Sequence, residues 1–157
     1  SRGLVGSEMC IRDRTSSEDL HDPISKVLQK KGIEHGIVVT SNDGIDEFSI
    51  TDTSKVTEIK GGKIKKWTFD PESYGIKCGN LAEIQCNTGE EAYLLGVDVL
   101  NGKRCAAAEM VAINSGVALY MLNLVETIND GIIKSKSILN SGRTLLLLNR
   151  FATLSKS

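Results

Sequence analysis

The chain has 157 residues, of which 40% are hydrophobic and 25% are charged, and its formal net charge is −1. This composition is typical of one ordinary globular domain and excludes wholesale disorder. The balanced charge argues against a nucleic-acid or anionic-membrane partner, because such binders need a basic excess. The richest apolar stretch, residues 105–122, is interrupted by polar residues and does not predict a membrane-spanning helix. We therefore expect a cytoplasmic α/β protein.

The first fourteen residues are predicted to lie outside the fold. Residues 1–14 show neither apolar periodicity nor a signal-peptide pattern. Their closing string, SEMCIRDR, resembles translated sequencing-adapter sequence, and a natural disordered tail is the alternative. We predict an artefactual or disordered tail over residues 1–14 and a folded region over residues 15–157.

A helix followed by a buried strand opens the folded region. The helix is predicted over residues 16–31, with Pro23 in its first turn and Gly32 at its end. Its apolar side chains share one face: Leu20, Ile24, Val27 and Leu28. Residues 36–40 (GIVVT) are continuously apolar, which predicts a strand buried on both faces, as in a parallel sheet. The strand that should precede the helix in a β-α-β unit is predicted to be absent from this chain.

A hairpin and four further helices are predicted downstream. After the SNDG turn at 41–44, residues 48–51 are predicted as a short strand, and Gly61-Gly62 joins a hairpin of residues 55–60 and 63–69. Residues 72–86 are predicted as a loop. The remaining helices are predicted at about 88–100, 104–122, 129–140 and 143–154. The chain is thus predicted to be α/β, with a few strands packed with about five helices.

The spacing of the cysteines and histidines in the sequence does not predict a metal centre. The cysteines at positions 78, 86 and 105 are not spaced as zinc ligands and are expected to be reduced thiols. Cys10 falls in the predicted tail. His21 and His35 stand alone in the sequence, and we expect them at the surface or at helix ends.

Two adjacent acids are the candidate site. The sequence contains no phosphate-binding P-loop, dinucleotide fingerprint, HExxH or serine-elbow motif. A calcium loop around Gly44 is excluded because Val39 and Ile50 would occupy its first and last ligand positions. Asp46 and Glu47 follow the predicted buried strand, where α/β sheets bind ligands. Residue type alone favours solvated surface acids, since neighbours in a regular strand point apart, although the NDG turn permits an irregular backbone.

Residues 36–51 resemble the "VVHG.DGLDEISLT" stretch of the anthranilate phosphoribosyltransferases, members of glycosyltransferase family 3. Six other segments resemble parts of that family in the same order: residues 23–28, 56–69, 74–75, 111–120, 130–131 and 139–143. The match covers about residues 20–157 and is specific as an ordered set. The sequence departs from the family pattern in places. For example, the family's His-Gly after the strand is Thr40-Ser41-Asn42 here.

The resemblance implies the C-terminal portion of a phosphoribosyltransferase α/β domain with the nucleoside phosphorylase-like fold. Such a pentosyltransferase joins anthranilate to phosphoribosyl diphosphate and releases diphosphate, in tryptophan biosynthesis. The resemblance implies that Asp46 and Glu47 are Mg²⁺ ligands, and it assigns no catalytic or substrate-binding residue to this stretch. It also implies a full-length cytoplasmic homodimer formed through a helical domain.

The family's diphosphate-binding segments are not found in this chain. Neither GTGGD nor KHGNR occurs in residues 1–157, so we predict that the chain alone is inactive. Two alternatives remain: a non-catalytic or differently specific relative that binds another ligand or nucleic acid, and a pyrimidine nucleoside phosphorylase-like enzyme. The Asp46-Glu47 pair and the Ser-Gly-Arg ending at 141–143 argue against the second alternative.

Overall fold

A mixed sheet of four strands organises the chain in the spatial order β1-β2-β3-β4. The computed structural model describes residues 10–14, 18–76 and 79–155. The strands are β1 (Cys10–Arg14), β2 (His35–Ser41), β3 (Ser54–Lys60) and β4 (Lys63–Phe69). β1 pairs with β2 in parallel, whereas β2–β3 and β3–β4 are antiparallel. The predicted hairpin around Gly61-Gly62 is confirmed.

β2 is the central strand, as its apolar sequence predicts. All seven of its residues are buried, and it pairs on both edges. Its side chains alternate between the faces, so that Ile37 and Val39 enter one apolar cluster and Val38 enters another. A strand that contributes to the core on both faces needs a continuous apolar run, which residues 36–40 provide.

The strand β1 corrects the predicted boundary of the fold. Residues 10–14 were expected in a disordered or artefactual tail, yet they pair with β2 from Cys10–His35 to Arg14–Val39. With α1 (Glu18–Lys30), they complete the β-α-β unit, so the prediction that its first strand is absent is wrong. The pairing satisfies the backbone groups along one edge of β2, which would otherwise be open. Residues 1–9 of the predicted tail lie outside the described residues.

Four more helices follow the sheet, as predicted. They are α2 (Gly89–Leu100), α3 (Ala106–Met121), α4 (Ile128–Asn140) and α5 (Arg143–Leu154). Thr88 caps α2 by accepting the Glu91 N–H at 3.1 Å, as the sequence pattern indicates. Short 3₁₀ turns at Pro71–Tyr74 and Leu81–Glu83 lie within the predicted loop.

Helices cover both faces of the sheet. On one face, α1 packs Leu28 against Ile33, Val38 and Ile59. On the other, α3 and α4 contribute Ile113, Val117, Met121 and Ile132 to the main core with β2, β3 and the residues that follow β2. The architecture is therefore α/β, as predicted. None of the helices in the described parts of the chain combines the length and apolar character needed to span a bilayer.

Both histidines were expected at the surface or at helix ends, and both are buried: His21 lies in the first turn of α1, and His35 is the first residue of β2. The His21 ring nitrogens lie 2.8 Å from Thr40 Oγ1 and 2.9 Å from Thr57 Oγ1. His35 Nδ1 donates to the Met121 carbonyl at 3.1 Å, and its Nε2 lies 2.9 Å from Glu58 Oε1. Partners on other elements make burial tolerable, because a polar ring whose nitrogens are hydrogen-bonded avoids the desolvation penalty.

Two local expectations differ from the structure. Residues 48–51 form no strand, since their backbone groups bond to side chains instead of a neighbouring ladder. Pro23 lies inside α1 rather than in its first turn. Among the described residues, Cys86 and Cys105 are free thiols, and Cys78 lies outside the described residues.

Candidate functional site

The candidate acids lie in a loop between β2 and β3, which we call the acidic loop (residues 42–53). It begins at the carboxyl end of β2, next to a parallel neighbour, which is the position where α/β sheets bind ligands. The two ends of the loop are tied together. The Asn42 N–H donates to the Thr53 carbonyl at 3.0 Å, and Asn42 Nδ2 donates to Thr53 Oγ1 at 2.7 Å.

A tight turn starts the acidic loop. The Gly44 N–H donates to the Ser41 carbonyl at 3.2 Å, and the Ser41 N–H donates to the Ile45 carbonyl at 3.2 Å. Gly44 has a φ of 84°, a conformation that side chains other than glycine's disfavour. The turn takes the chain out of strand geometry, so the next residues do not alternate across a sheet.

Asp43 holds the acidic loop together from inside. Its Oδ1 accepts the Ile45 N–H at 3.1 Å, and its Oδ2 accepts short hydrogen bonds from the hydroxyls of Ser49 and Thr51. Burial raises the pKa of the Asp43 carboxyl, but hydrogen bonds from three hydroxyls and one backbone N–H outweigh it, so the pKa lies below its ordinary value. Both carboxylate oxygens of Asp43 therefore accept hydrogen bonds from within the acidic loop.

Asp46 and Glu47 lie between these anchored parts. Asp46 is exposed and Glu47 is half-buried, and both belong to the irregular stretch after the turn. Their carboxylates offer hard oxygen ligands of the kind that Mg²⁺ prefers. The described residues contain no cluster of three or more His, Cys, Asp or Glu that could hold a metal ion. Asp46 and Glu47 belong to no such cluster in the described parts of the chain, so their role as cation ligands stays a prediction.

Asn114 of α3 anchors the residue that follows the acidic pair. Its Oδ1 accepts the Phe48 N–H at 3.2 Å, and its Nδ2 donates to the Phe48 carbonyl at 3.1 Å and to the Met110 carbonyl at 3.0 Å. The Phe48 side chain is fully buried and lies edge-on to Phe69, with ring centroids 5.1 Å apart. The far side of the acidic pair is thus attached to the core.

Sequence reasoning missed the roles of Asp43 and Asn114. Asp43 was assigned only to a turn, although serine and threonine follow it within hydrogen-bonding reach along the loop. Asn114 lies on the buried face of α3, whose other buried residues are apolar or glycine. A polar residue in such a position needs a partner, and that signal indicates a structural or functional contact.

A second polar cluster joins three elements on the same face of the sheet as α3. Both His35 and Tyr120 contact Glu58 Oε1 at 2.9 Å, and the Tyr120 hydroxyl donates in its bond. Desolvation, followed by the Glu58 carboxylate, raises the pKa of Tyr120 to about 12. Because the Met121 carbonyl can only accept, His35 Nδ1 carries a proton. This cluster connects β2, β3 and α3, and it does not include the acidic pair.

Comparison with known proteins relates this fold to a family of transferases. The sequence model described as "Glycosyl transferase family, a/b domain" matches residues 14–145. The anthranilate phosphoribosyltransferase of Vesicomyosocius okutanii is 43% identical over 126 residues, which are 80% of this chain and 37% of that protein. The protein of the same name from Clostridium beijerinckii is 37% identical over 138 residues, 88% of this chain and 40% of that protein.

Solved structures show the same fold. The crystal structure of anthranilate phosphoribosyltransferase from Thermus thermophilus superimposes with a TM-score of 0.79 at 24% identity, covering 92% of this chain and 42% of that one. The Saccharomyces cerevisiae enzyme in complex with PRPP and Mg gives a TM-score of 0.79 at 21% identity, covering 90% and 41%. The chain spans 37% to 40% of the length of the two curated relatives described above.

Proposed function

The chain belongs to the glycosyl transferase family with this a/b domain, and from that membership we propose that it forms part of the α/β domain of an anthranilate phosphoribosyltransferase. The enzyme would transfer phosphoribosyl from phosphoribosyl diphosphate to anthranilate. The anthranilate nitrogen forms a bond to the anomeric carbon, the bond from that carbon to diphosphate oxygen breaks, and the amine proton is released. The two curated relatives described above carry this name, at 43% and 37% identity.

The observation that carries the proposal is the anchored acidic loop at the carboxyl end of β2. It presents Asp46 and Glu47 on an irregular stretch, while Asp43 is occupied by internal hydrogen bonds. In this reaction, negative charge builds up on the departing diphosphate, so charge neutralisation dominates catalysis. Bound Mg²⁺ would supply that neutralisation, and Asp46 and Glu47 are the residues of this chain that would hold it.

The role assigned to this chain's residues is electrostatic. Asp46 and Glu47 hold the cation, and neither is assigned a proton-transfer step. The GTGGD and KHGNR segments of the resembled family do not occur in residues 1–157, and we expect the complete enzyme to supply those phosphate contacts from upstream residues. We therefore expect no turnover from the chain alone. A homodimer of the complete enzyme remains a prediction, as does the assignment of residues 15–157 to the C-terminal portion of the domain.

The two alternative functions are not favoured. The relatives at 37% to 43% identity are anthranilate phosphoribosyltransferases rather than nucleoside phosphorylases or nucleic-acid binders. The formal net charge of −1 also gives no electrostatic support for binding a polyanion without sequence preference.

A segment exchange tests the proposal. The matching region of the Vesicomyosocius okutanii relative is replaced by the corresponding residues of this chain, guided by their 43% identity over 126 residues. The chimera should support growth of a tryptophan auxotroph that lacks anthranilate phosphoribosyltransferase. The purified chimera should release diphosphate only when anthranilate is present.

The unmodified relative and an empty vector are the controls. A folded chimera with a cooperative melting transition but no anthranilate-dependent release of diphosphate would contradict the proposal.

A further inference from the structure

We propose that Asn114 is a positioning residue that sets the orientation of Asp46 and Glu47 for cation binding. This inference rests on the proposed function, because it assigns a supporting group to the same metal site. The proposal stands on a buried amide that binds both backbone polar groups of Phe48, the residue next to Glu47.

The Asn114 amide acts on Phe48 as a neighbouring strand would. It accepts the Phe48 N–H at 3.2 Å and donates to the Phe48 carbonyl at 3.1 Å, which are the two bonds that a strand partner exchanges. Asn114 is only 6% exposed, so water does not readily replace these bonds.

The orientation of the amide is determined by its surroundings. Nδ2 also donates to the Met110 carbonyl at 3.0 Å, one turn earlier in α3. Since the carbonyls of Met110 and Phe48 can only accept, the nitrogen must face them and the oxygen must face the Phe48 N–H. We call the pair of hydrogen bonds between the Asn114 amide and the Phe48 backbone the clamp. The clamp therefore has one arrangement, which the bond to the α3 backbone holds in place.

The clamp and Asp43 hold the acidic pair from its two sides. On one side, Asp43 Oδ1 accepts the Ile45 N–H at 3.1 Å, just before Asp46. On the other, the buried ring of Phe48 determines where the chain lies, but a ring alone leaves the adjoining peptide planes free to rotate. Asn114 removes that freedom, because both polar groups of Phe48 are bound. The direction of the Glu47 side chain depends on the same peptide planes.

The alternative is that Asn114 only satisfies buried backbone groups and has no influence on the acids. Both roles predict lower stability when the amide is removed, so a stability measurement does not separate them. Cation binding at Asp46 and Glu47 does separate them, since groups that orient metal ligands typically change metal affinity about 10- to 100-fold when they are replaced.

The test uses the 157-residue chain and Mn²⁺ as a paramagnetic probe in place of Mg²⁺. Broadening of the backbone amide NMR signals of Asp46 and Glu47 is followed during Mn²⁺ titration of the parent chain. Asn114→Leu removes the polar groups and keeps the branched shape of the side chain. The matched control is Val117→Ala, which removes packing from the buried face of α3 without removing a hydrogen bond to the acidic loop.

We expect Asn114→Leu to raise the Mn²⁺ concentration for half-maximal broadening by about 10-fold or more, while Val117→Ala leaves it unchanged. If Asn114→Leu does not fold by circular dichroism, Asn114→Asp carries the same test, since it keeps the shape and one acceptor but loses both donations when ionised.

Three outcomes would overturn the inference, and they differ in what they say about the proposed function. Equal Mn²⁺ titrations for the parent and the Asn114 variants would refute the positioning role and leave the metal site intact. Equal weakening in Val117→Ala would show that general destabilisation is the cause. No broadening at Asp46 and Glu47 in the parent would show that this chain alone does not bind the cation there, which overturns the inference without bearing on the proposed function of the complete enzyme.

Discussion

Three acids of the acidic loop differ in role because their surroundings differ. Asp43 accepts hydrogen bonds from three hydroxyls and a backbone N–H, whereas Asp46 is exposed. Asp52 Oδ1 accepts the Thr53 N–H at 2.6 Å, which is a local turn contact. Charge alone therefore does not identify a ligand, and the hydrogen bonds decide which carboxylate remains available.

At Asp46 and Glu47, neutralising substitutions should lower activity without affecting folding. In the active chimera, Asp46→Asn and Glu47→Gln should each lower turnover about 10²-fold or more, because diphosphate charge is less compensated in the transition state. Both variants should also need more Mg²⁺. Steady-state rates measured against Mg²⁺ concentration check this, with Asp52→Asn as the control from the same loop. Unchanged curves would return the pair to solvated surface acids.

At Asp43, the expected effect is on stability and its dependence on pH. Burial raises the pKa, but hydrogen bonds lower it below 3.8 overall. A carboxyl whose pKa is lower in the folded state contributes stability above its unfolded pKa and loses it as pH falls through the folded value. Asp43→Asn should therefore lower the free energy of unfolding at pH 7, and this difference should shrink below pH 3.8.

Urea titrations of the parent and Asp43→Asn chains measure the difference in their free energies of unfolding directly. The titrations are repeated between pH 2.5 and pH 7, in steps of about half a pH unit. If the two stability curves run parallel throughout, Asp43 does not contribute through its ionised carboxylate.

Among the elements, α3 and α4 approach each other more closely than side chains allow. A Cβ atom added to Gly116 would lie 2.6 Å from the Ile132 nitrogen, and one added to Gly131 would collide with the Gly116 backbone. The close contact places Ile132 in the main core beside Val117. Because Asn114 belongs to the same helix, we expect the position of α3 against α4 to affect the hydrogen bonds between Asn114 and Phe48 as well.

Alanine substitutions test this close approach. Gly116→Ala should lower the free energy of unfolding by about 1–3 kcal/mol, because the helices must separate. Gly96 provides the contrast, since it lies in α2 with nothing within 4 Å of an added Cβ. Gly96→Ala should raise stability by about 0.4–1 kcal/mol, because it lowers the entropy of the unfolded chain. Thermal unfolding of both variants measures the effects, and a neutral Gly116→Ala would contradict the packing argument.

The buried face of α1 is rotated from the apolar face that its sequence predicts. Leu28 is buried, but Leu20 and Val27 are each 52% exposed. His21 and Ser25 occupy the buried positions instead, with His21 bonded to Thr40 and Thr57, and Ser25 Oγ donating to the His21 carbonyl at 2.8 Å. Hydrogen bonds across the sheet thus outweigh hydrophobic periodicity in orienting this helix.

Over the whole molecule, apolar exposure concentrates on α5. None of its residues is buried, and Leu147, Phe151 and Leu154 are 68%, 68% and 73% exposed. Tyr93 and Leu94 of the adjoining α2 are also exposed. An unpaired edge of the apolar strand β2 would also favour aggregation, but β1 and β3 pair with both edges of that strand.

The exposed face of α5 should make the chain bind hydrophobic dyes and associate with itself. Replacing Leu147 and Phe151 by lysine should reduce dye fluorescence and shift the sedimentation profile toward monomer. Asn149→Lys is the matched control, because it adds a charge to the same helix without removing apolar surface. If the control lowers dye binding as much as the double variant, charge rather than apolar exposure is the cause.

Local sequence signals alone determined much of the architecture. The β3–β4 hairpin follows from Gly61-Gly62, and the start of α2 follows from Thr88 and Glu91. The central strand follows from the apolar run at 36–40. These features depend on residues within one turn or one strand of each other, so composition and spacing suffice. The family resemblance and the candidate acids were also readable from the sequence.

The tertiary structure alone decided which polar groups are buried and what anchors the site. The sequence of β1 has no apolar pattern, and the strand forms because its backbone pairs in parallel with β2. His35 is buried because Glu58 and Met121, from β3 and α3, meet its two nitrogens. Asn114 clamps Phe48 from 66 residues away. Contacts between groups so distant along the chain leave no local pattern, because their energy depends on how the elements pack.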